Sequence, residues 1–169
     1  MLNRTLLRPI ERQDVQALLD IIADARAQFG LAGRAESVLE PADYAIFDTY
    51  QKRRAMYFVA LVDGEVVGGA GIAPLHGDDP LTCELQRMYL KPEARGRGVG
   101  TLLLDACLDA ARRFWFVRCY AETVSEMERA LKLYARHGFV ELDESQGSTG
   151  HAHNDRWLMR TLRAPQEAL

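Results

Sequence analysis

A run of alternating arginine and glycine near the middle of the chain constrains its fold most, Arg95-Gly96-Arg97-Gly98-Val99-Gly100. A strand-like alternation of apolar and polar residues precedes the run over 82–90, and Pro92 ends that pattern. After the run, apolar residues recur at helical spacing from Val99 to Phe114. The glycines therefore lie between a predicted strand and the first turn of a predicted helix.

A glycine turn at the start of a helix favours anion binding. The first amides of a helix lack intrahelical acceptors, its N-terminus carries a partial positive charge, and glycine lets a ligand approach closely. A Walker loop would need Lys and then Ser or Thr after its last glycine, but Thr101 follows Gly100 directly. A dinucleotide fingerprint would place the third glycine one residue later. The run predicts a phosphate or pyrophosphate site of another kind.

The spacing Arg95-x-x-Gly98-x-Gly100 resembles the pyrophosphate loop of the GCN5-related N-acetyltransferase (GNAT) family, whose members bind acetyl-coenzyme A. Two further segments extend the resemblance. Residues 84–90 are similar to the family's fourth strand, and Ala130-x-x-Leu133-Tyr134-x-x-x-Gly138-Phe139 is similar to its late helix and following strand. The three segments stand in the family's order and spacing. The alternative is a glycine loop that only turns the chain.

Periodicity along the chain predicts a mixed α/β or α+β fold in which a sheet packs between helices. Predicted strands cover 5–8, 56–62, 65–73, 82–90, 115–121, 139–142 and 156–162, and predicted helices cover 11–29, a segment from Pro41, 99–113 and 125–137. The resemblance implies a mostly antiparallel sheet of six to seven strands. It also implies that the fourth and fifth strands run parallel and separate at one end, where acetyl-coenzyme A would lie.

Several residues predict local backbone geometry. Asp63-Gly64 is typical of a two-residue hairpin turn, because both positions tolerate positive φ. The glycines at 68, 69 and 71 indicate close packing or a bulge more than ligand contact, since glycine weakens a strand interior. Ser125 and Glu128 form a capping-box pattern that predicts a helix start. Gly30 and Gly138 are predicted to end the helices before them.

Size and composition limit the remaining functions. A chain of 169 residues predicts a single domain over 1–169, and a net charge of −3 argues against a nucleic-acid surface. There is no apolar run of membrane-spanning length and no signal-peptide pattern, so we expect no membrane partner. The three cysteines, at 83, 107 and 119, lack metal-ligand spacing and fit buried thiols in a reducing compartment. We therefore expect a cytoplasmic protein.

The resemblance assigns cofactor-binding residues. Loop amides would hold the pyrophosphate, the strand before the loop would pair with the pantetheine arm, and one amide at Met88 or Tyr89 would polarise the thioester carbonyl. For Arg95 and Arg97, direct phosphate contact and simple solvation both remain open. The complete set is Met88, Tyr89, Leu90, Arg95, Gly96, Arg97, Gly98, Val99, Gly100 and Thr101.

The resemblance also points to two catalytic groups. Tyr134 is the candidate general acid, because a phenol of pKa about 10 is protonated at neutral pH and can donate to a departing thiolate. The alternative is a core tyrosine on an apolar helical stripe. Glu84 is the candidate general base, acting through a water, and it shares a strand face with Gln86 and Met88. It could instead bind a cationic acceptor or form an ion pair, and Glu122 is a second carboxylate that could serve as base.

Two features depart from the family or extend beyond it. The family often has Asn where this chain has Met127, which cannot replace the amide's hydrogen bonds; Ser125 is a candidate substitute. The polar segment 150–155 could be a substrate-facing loop that uses His151 or His153, or a solvated turn. No third ligand accompanies this His-x-His pair, and we expect the polar loop 74–80 to be solvated. We therefore predict no metal site.

Together these features predict an acetyl-coenzyme A-dependent N-acetyltransferase. Its acceptor would be a primary amine of a small molecule or peptide, which attacks directly in a ternary complex. The alternative is a non-catalytic module that binds or senses acyl-coenzyme A. O-acyl transfer and longer acyl donors also stay open. The family often forms homodimers, although no feature of this sequence requires one.

Overall fold

A computed structural model describes residues 4–29 and 39–162, and its seven strands form one mixed sheet. The strands are β1 (Thr5–Pro9), β2 (Met56–Val62), β3 (Glu65–Pro74), β4 (Thr82–Leu90), β5 (Arg118–Thr123), β6 (Val140–Leu142) and β7 (Arg156–Thr161). The described helices are α1 (Val15–Gln28), α2 (Pro41–Tyr44), α3 (Ile46–Thr49), α4 (Val99–Arg113) and α5 (Glu128–Arg136). The strand order is β1-β2-β3-β4-β5-β7-β6. The predicted mixed fold of strands and helices is confirmed.

Strand pairing is mostly antiparallel, as predicted. Strands β1 and β2, β5 and β7, and β6 and β7 pair antiparallel, whereas β4 and β5 pair parallel. The parallel register joins residues 82–84 to residues 118–120, and it ends at Glu84 opposite Tyr120. Strand β5 continues to Thr123 beyond that point. The expected parallel direction of the fourth and fifth strands is therefore confirmed.

The chain forms two compact units. The first contains Met1–Gly71 and Arg87–Cys107, and the second contains Ile72–Gln86 and Leu108–Leu169. Fully buried apolar side chains fill each of them. In the first unit they include Leu18, Ile22, Ile46, Val59 and Leu103. In the second they include Leu108, Phe116, Tyr120 and Leu158.

Glycine and aspartate set the local geometry where the sequence predicts it. Asp63 and Gly64 have φ values of 51° and 87°, which form the hairpin turn between β2 and β3. Gly138, with a φ of 79°, follows α5 in the left-handed conformation. A Cβ atom on Gly68 would lie 2.4 Å from the carbonyl oxygen of Tyr89, so close packing of β3 is confirmed there.

Two predicted element starts are wrong. Strand β5 begins at Arg118 and not at residue 115, because Trp115 has a φ of 65° and its amide still bonds the Arg112 carbonyl at the end of α4. Helix α5 begins at Glu128, and Ser125 does not cap it. The amide and hydroxyl of Ser125 each donate instead to the Asp155 carboxylate at 2.8 Å. A partner distant in sequence replaces the local cap.

Smaller differences affect the first third of the chain. A short 3-10 turn, Arg12–Asp14, precedes α1 within the segment predicted as one helix. The helix predicted from Pro41 is two short helices, separated at Ala45. The predicted helix stop at Gly30 lies outside the described residues.

The expected burial of the three cysteines is confirmed. The thiols of Cys83, Cys107 and Cys119 are buried. Among the described residues, no helix is both long enough and apolar enough to cross a bilayer.

Candidate functional site

In the first unit, the glycine loop connects β4 to α4 with a backbone conformation that favours glycine. Gly96 and Gly98 have φ values of 70° and 82°, in the left-handed region that other residues rarely adopt. The Gly98 carbonyl accepts a hydrogen bond from the Leu102 amide at 3.1 Å, which begins the helix. The amides of residues 99–101 are therefore first-turn donors that the helix itself cannot satisfy.

The loop leaves room for a ligand at Gly98. A Cβ atom built on this residue would meet no described atom within 4 Å. Open space thus borders the helix start, where first-turn amides and the helix dipole favour an anion. The donor chemistry and this opening fit a diphosphate group.

Arg95 fixes the loop to neighbouring elements of the first unit. Its Nε and Nη2 donate to the Leu90 carbonyl at 3.1 and 2.9 Å, and its Nη1 donates to Gln28 Oε1 at 2.7 Å. Its guanidinium carbon lies 5.5 Å from the centroid of the Phe29 ring. These contacts hold the loop against its neighbours, and the Leu90 carbonyl at the end of β4 accepts hydrogen bonds from Arg95. The sequence did not predict them, because Gln28 is 67 residues away.

Strand β4 contains a left-handed residue, Arg87. This residue has a φ of 48°, which is unfavourable for a residue other than glycine. Its carbonyl accepts a hydrogen bond from the Tyr57 hydroxyl at 2.9 Å, and its guanidinium donates to Asp43 at 2.9 Å and to the Tyr50 hydroxyl at 3.3 Å. Regular alternation of side chains needs an extended backbone, which β4 lacks at Arg87, so the shared face of Glu84 and Met88 stays a prediction.

Asp43 is the centre of a buried charged cluster that the sequence did not predict. Its side chain is 0% exposed, and it accepts hydrogen bonds from Arg26 at 2.5 and 3.4 Å and from Arg87 at 2.9 Å. The Glu40 amide adds another at 2.8 Å. Burial alone would raise the pKa of Asp43, but these hydrogen bonds, led by Arg26, lower its pKa below the ordinary value. Arg26 also donates to the Tyr89 hydroxyl at 3.4 Å.

In the second unit, three titratable side chains converge. They are Glu84 on β4, Glu122 on β5 and His151 in the connection between β6 and β7. One ligand-type atom from each lies within 4.8 Å of the other two. The Gln86 side chain donates to Glu84 at 2.8 Å, which confirms that these two residues share a face. Glu84 is 5% exposed.

The Glu122 carboxylate accepts four described hydrogen bonds. The donors are the Tyr120 hydroxyl at 2.9 Å, the Thr149 hydroxyl at 2.5 Å, His151 Nδ1 at 3.0 Å and the Asn154 amide at 3.2 Å. Burial would raise the pKa of Glu122, but the bonds, led by that from His151, lower it overall. Three of these donors bond Oε1 and one bonds Oε2, so protein groups hold both oxygens of the carboxylate.

The remaining predicted residues have defined environments. Tyr134 lies on α5, is 5% exposed, and places its ring centroid 5.5 Å from that of Phe139. Met127 precedes α5 without a side-chain capping bond. The hydroxyl of Ser125, the candidate substitute for the family's Asn, is bonded to Asp155. In the predicted polar loop, Asp79 pairs with Arg118.

Comparisons with known proteins identify a family and a close relative in length and sequence. The sequence pattern of the Acetyltransferase (GNAT) family matches residues 18–139. The uncharacterized N-acetyltransferase YjgM of Escherichia coli (strain K12) is 36% identical over 158 residues, covering 93% of this chain and 95% of that protein.

Solved structures share the fold. An acetyltransferase of the GNAT family from Staphylococcus aureus Mu50 has a TM-score of 0.84 at 19% identity, covering 95% of this chain and 100% of that chain. The yncA protein of Salmonella typhimurium, solved with its cofactor acetyl-CoA, has a TM-score of 0.78 at 21% identity, covering 95% of each chain.

Proposed function

Because the chain belongs to the GNAT family of acetyltransferases, we propose that it transfers the acetyl group of acetyl-coenzyme A to a primary amine of a small molecule or peptide. The amine would attack directly in a ternary complex. The geometry of the glycine loop supports this proposal most strongly. Left-handed Gly98 at the start of α4, with open space beside it, suits the diphosphate of coenzyme A.

The first unit would hold the cofactor. Amides of residues 99–101 and the loop residues Gly96 to Gly98 would bind the diphosphate, with Arg97 adding charge. Arg95 would act mainly through its hold on the end of β4. The backbone of Met88, Tyr89 and Leu90 would face the pantetheine arm, and an amide at Met88 or Tyr89 would polarise the thioester carbonyl.

When bound, acetyl-coenzyme A supplies an activated acetyl thioester. The acceptor nitrogen forms a new bond to the acetyl carbon, and the carbon–sulfur bond breaks. We assign Glu84 to accept the proton that the amine loses, directly or through water, and Tyr134 to donate a proton to the departing sulfur. Each proton thus has a named donor and acceptor.

Direct attack is supported by the state of the cysteines. A covalent acetyl-cysteine intermediate needs a thiol that the thioester can reach. Cys83, Cys107 and Cys119 are all buried, which supports transfer without such an intermediate. Buried thiols also fit our expectation of a cytoplasmic protein.

Thiol release from acetyl-coenzyme A across a panel of amines tests the proposal. We expect amine-dependent release, and we expect Tyr134→Phe to lower kcat about a hundredfold, as the loss of a general acid typically does. Tyr44→Phe is the matched control, because Tyr44 is 61% exposed. Equal rates in the unaltered protein and Tyr134→Phe would remove Tyr134 as the acid. Coenzyme A binding without turnover on any amine would instead favour the acyl-coenzyme A binding module.

A further inference from the structure

We propose that His151 carries the acceptor's proton from the site to solvent and that Glu122 is the positioning residue that orients its ring. This inference rests on the proposed acetyl transfer, since it concerns the proton which that reaction releases. It extends the assignment of Glu84 by naming the group that receives the proton next.

The hydrogen bond to Glu122 determines which ring nitrogen can accept a proton. His151 Nδ1 lies 3.0 Å from Glu122 Oε1. An ionised carboxylate can only accept a hydrogen bond, so Nδ1 carries the hydrogen. In the neutral ring, the lone pair is then on Nε2. The arrangement fixes one tautomer and makes Nε2 the basic atom.

The charges around the ring favour its protonated form. Glu122 on β5 and Glu84 on β4 each place a carboxylate oxygen within 4.8 Å of a ring nitrogen. The Tyr120 hydroxyl donates to the other oxygen of Glu122, and the centroid of the His153 ring, in the same loop, lies 6.1 Å from that of His151. Two carboxylates near one imidazole stabilise the imidazolium. Because its hydrogen bonds lower the pKa of Glu122, that carboxylate stays ionised at neutral pH and does not retain the proton.

Exposure separates the roles of Glu84 and His151. Glu84 is 5% exposed, so a proton that it accepts has poor access to bulk water. The His151 side chain is 32% exposed and can exchange protons with solvent. In the proposed sequence an N–H bond of the ammonium breaks before attack, and the proton passes to Glu84. It then moves to Nε2, directly or through one water, and the imidazolium releases it to solvent. The freed Glu84 carboxylate accepts the second proton, which the nitrogen loses as the carbon–nitrogen bond forms, while Tyr134 protonates the departing sulfur.

The loop around His151 is anchored on β5, which distinguishes it from a solvated turn. The Gln146 amide donates to the Tyr120 hydroxyl at 3.2 Å, and the Asp155 amide donates to the Thr123 carbonyl at 3.2 Å. Between these anchors, Thr149 and Asn154 bind the same carboxylate as His151. The ring is therefore held in a defined orientation.

The pH dependence of kcat/KM for the amine tests the inference. His151→Asn keeps a side-chain N–H for Glu122 but removes the titrating nitrogen. We expect this variant to have a tenfold to hundredfold lower kcat/KM and an unchanged KM for acetyl-coenzyme A. We also expect its pH profile to lack the rise in rate that accompanies deprotonation of the histidine. Added imidazole should restore part of the rate. His153→Asn is the matched control, and we expect it to keep the unaltered profile.

A second variant keeps the test decisive if His151→Asn does not fold. Glu122→Gln removes the negative charge beside the ring, so we expect the midpoint of the rising limb to move to lower pH. An unchanged profile in either folded variant would overturn the proton-carrying role and leave His151 as a loop anchor. If the unaltered protein acetylates amines but the variants match it, this inference alone fails. If the unaltered protein acetylates no amine, the proposed function fails and this inference falls with it.

Discussion

Replacing Asp43 by alanine should destabilise the first unit more than any comparable change to a surface carboxylate. Asp43 is 0% exposed and binds both Arg26 and Arg87, whose side chains are only 12% and 14% exposed. Asp43→Ala leaves these two guanidinium groups buried without their shared carboxylate. It also removes the acceptor of the Glu40 amide.

The expected size of the effect follows from this burial. Removing one partner of a buried ion pair typically costs about 3–5 kcal/mol, because the remaining charge is uncompensated. In a chain of this length each kcal/mol lowers Tm by about 2–4 °C. Asp43→Ala should therefore lower Tm by about 6–20 °C. The strained left-handed backbone at Arg87 should also relax, since its guanidinium loses the bond to Asp43.

Urea unfolding followed by far-ultraviolet circular dichroism measures the difference. Asp48→Ala is the matched control, because Asp48 pairs with Arg12 while both side chains are 70% or more exposed. Such a surface pair contributes about 0–1 kcal/mol. Tryptophan fluorescence reports unfolding of the second unit separately, since Trp115 and Trp157 both belong to that unit. A loss below about 1 kcal/mol in Asp43→Ala, equal to that in Asp48→Ala, would refute the buried-cluster account.

Two further predictions concern the cofactor loop and acid stability. Gly98→Asp should fold, since a Cβ atom at this position has open space and aspartate tolerates positive φ. Its negative charge should repel the diphosphate, so we expect calorimetry to show at least about tenfold weaker binding of coenzyme A. Gly98→Asn is the neutral control, and undiminished affinity in folded Gly98→Asp would contradict the loop assignment. Because the pKa of Asp43 is lowered in the folded state, ionisation of this carboxyl stabilises the folded state above the unfolded pKa of about 3.9. This stabilisation is lost as the pH falls through the pKa of Asp43 in the folded state. The stability gap between the unaltered protein and Asp43→Asn, measured by urea unfolding, should thus shrink below about pH 4, and a constant gap would be evidence against this linkage.

Local chemistry explains the parts of the fold that the sequence predicted well. Asp63, Gly64 and Gly138 adopt the positive φ values that their residue types favour. Gly68 packs against the Tyr89 carbonyl, which excludes a side chain at that position. The strand and helix patterns depend on neighbours two to four residues apart, so periodicity alone locates them.

Contacts between distant residues explain what the sequence did not predict. Ser125 has the local pattern of a helix cap, but its hydroxyl bonds Asp155, which is 30 residues away. The buried cluster joins Asp43 to partners 17 and 44 residues away. The bond from His151 to Glu122 spans 29 residues. Sequence analysis named Glu84, Glu122 and His151 separately, and only the fold shows that they meet.

Transfer of a labelled acetyl group tests the central proposal most directly. The purified protein is incubated with acetyl-coenzyme A carrying a ¹³C acetyl group and with a panel of primary amines, and the products are identified by mass spectrometry. The account predicts a labelled N-acetyl amine and free coenzyme A in equal amounts, both dependent on the protein. Release of coenzyme A with only labelled acetate, or no labelled amine from any acceptor, would contradict it.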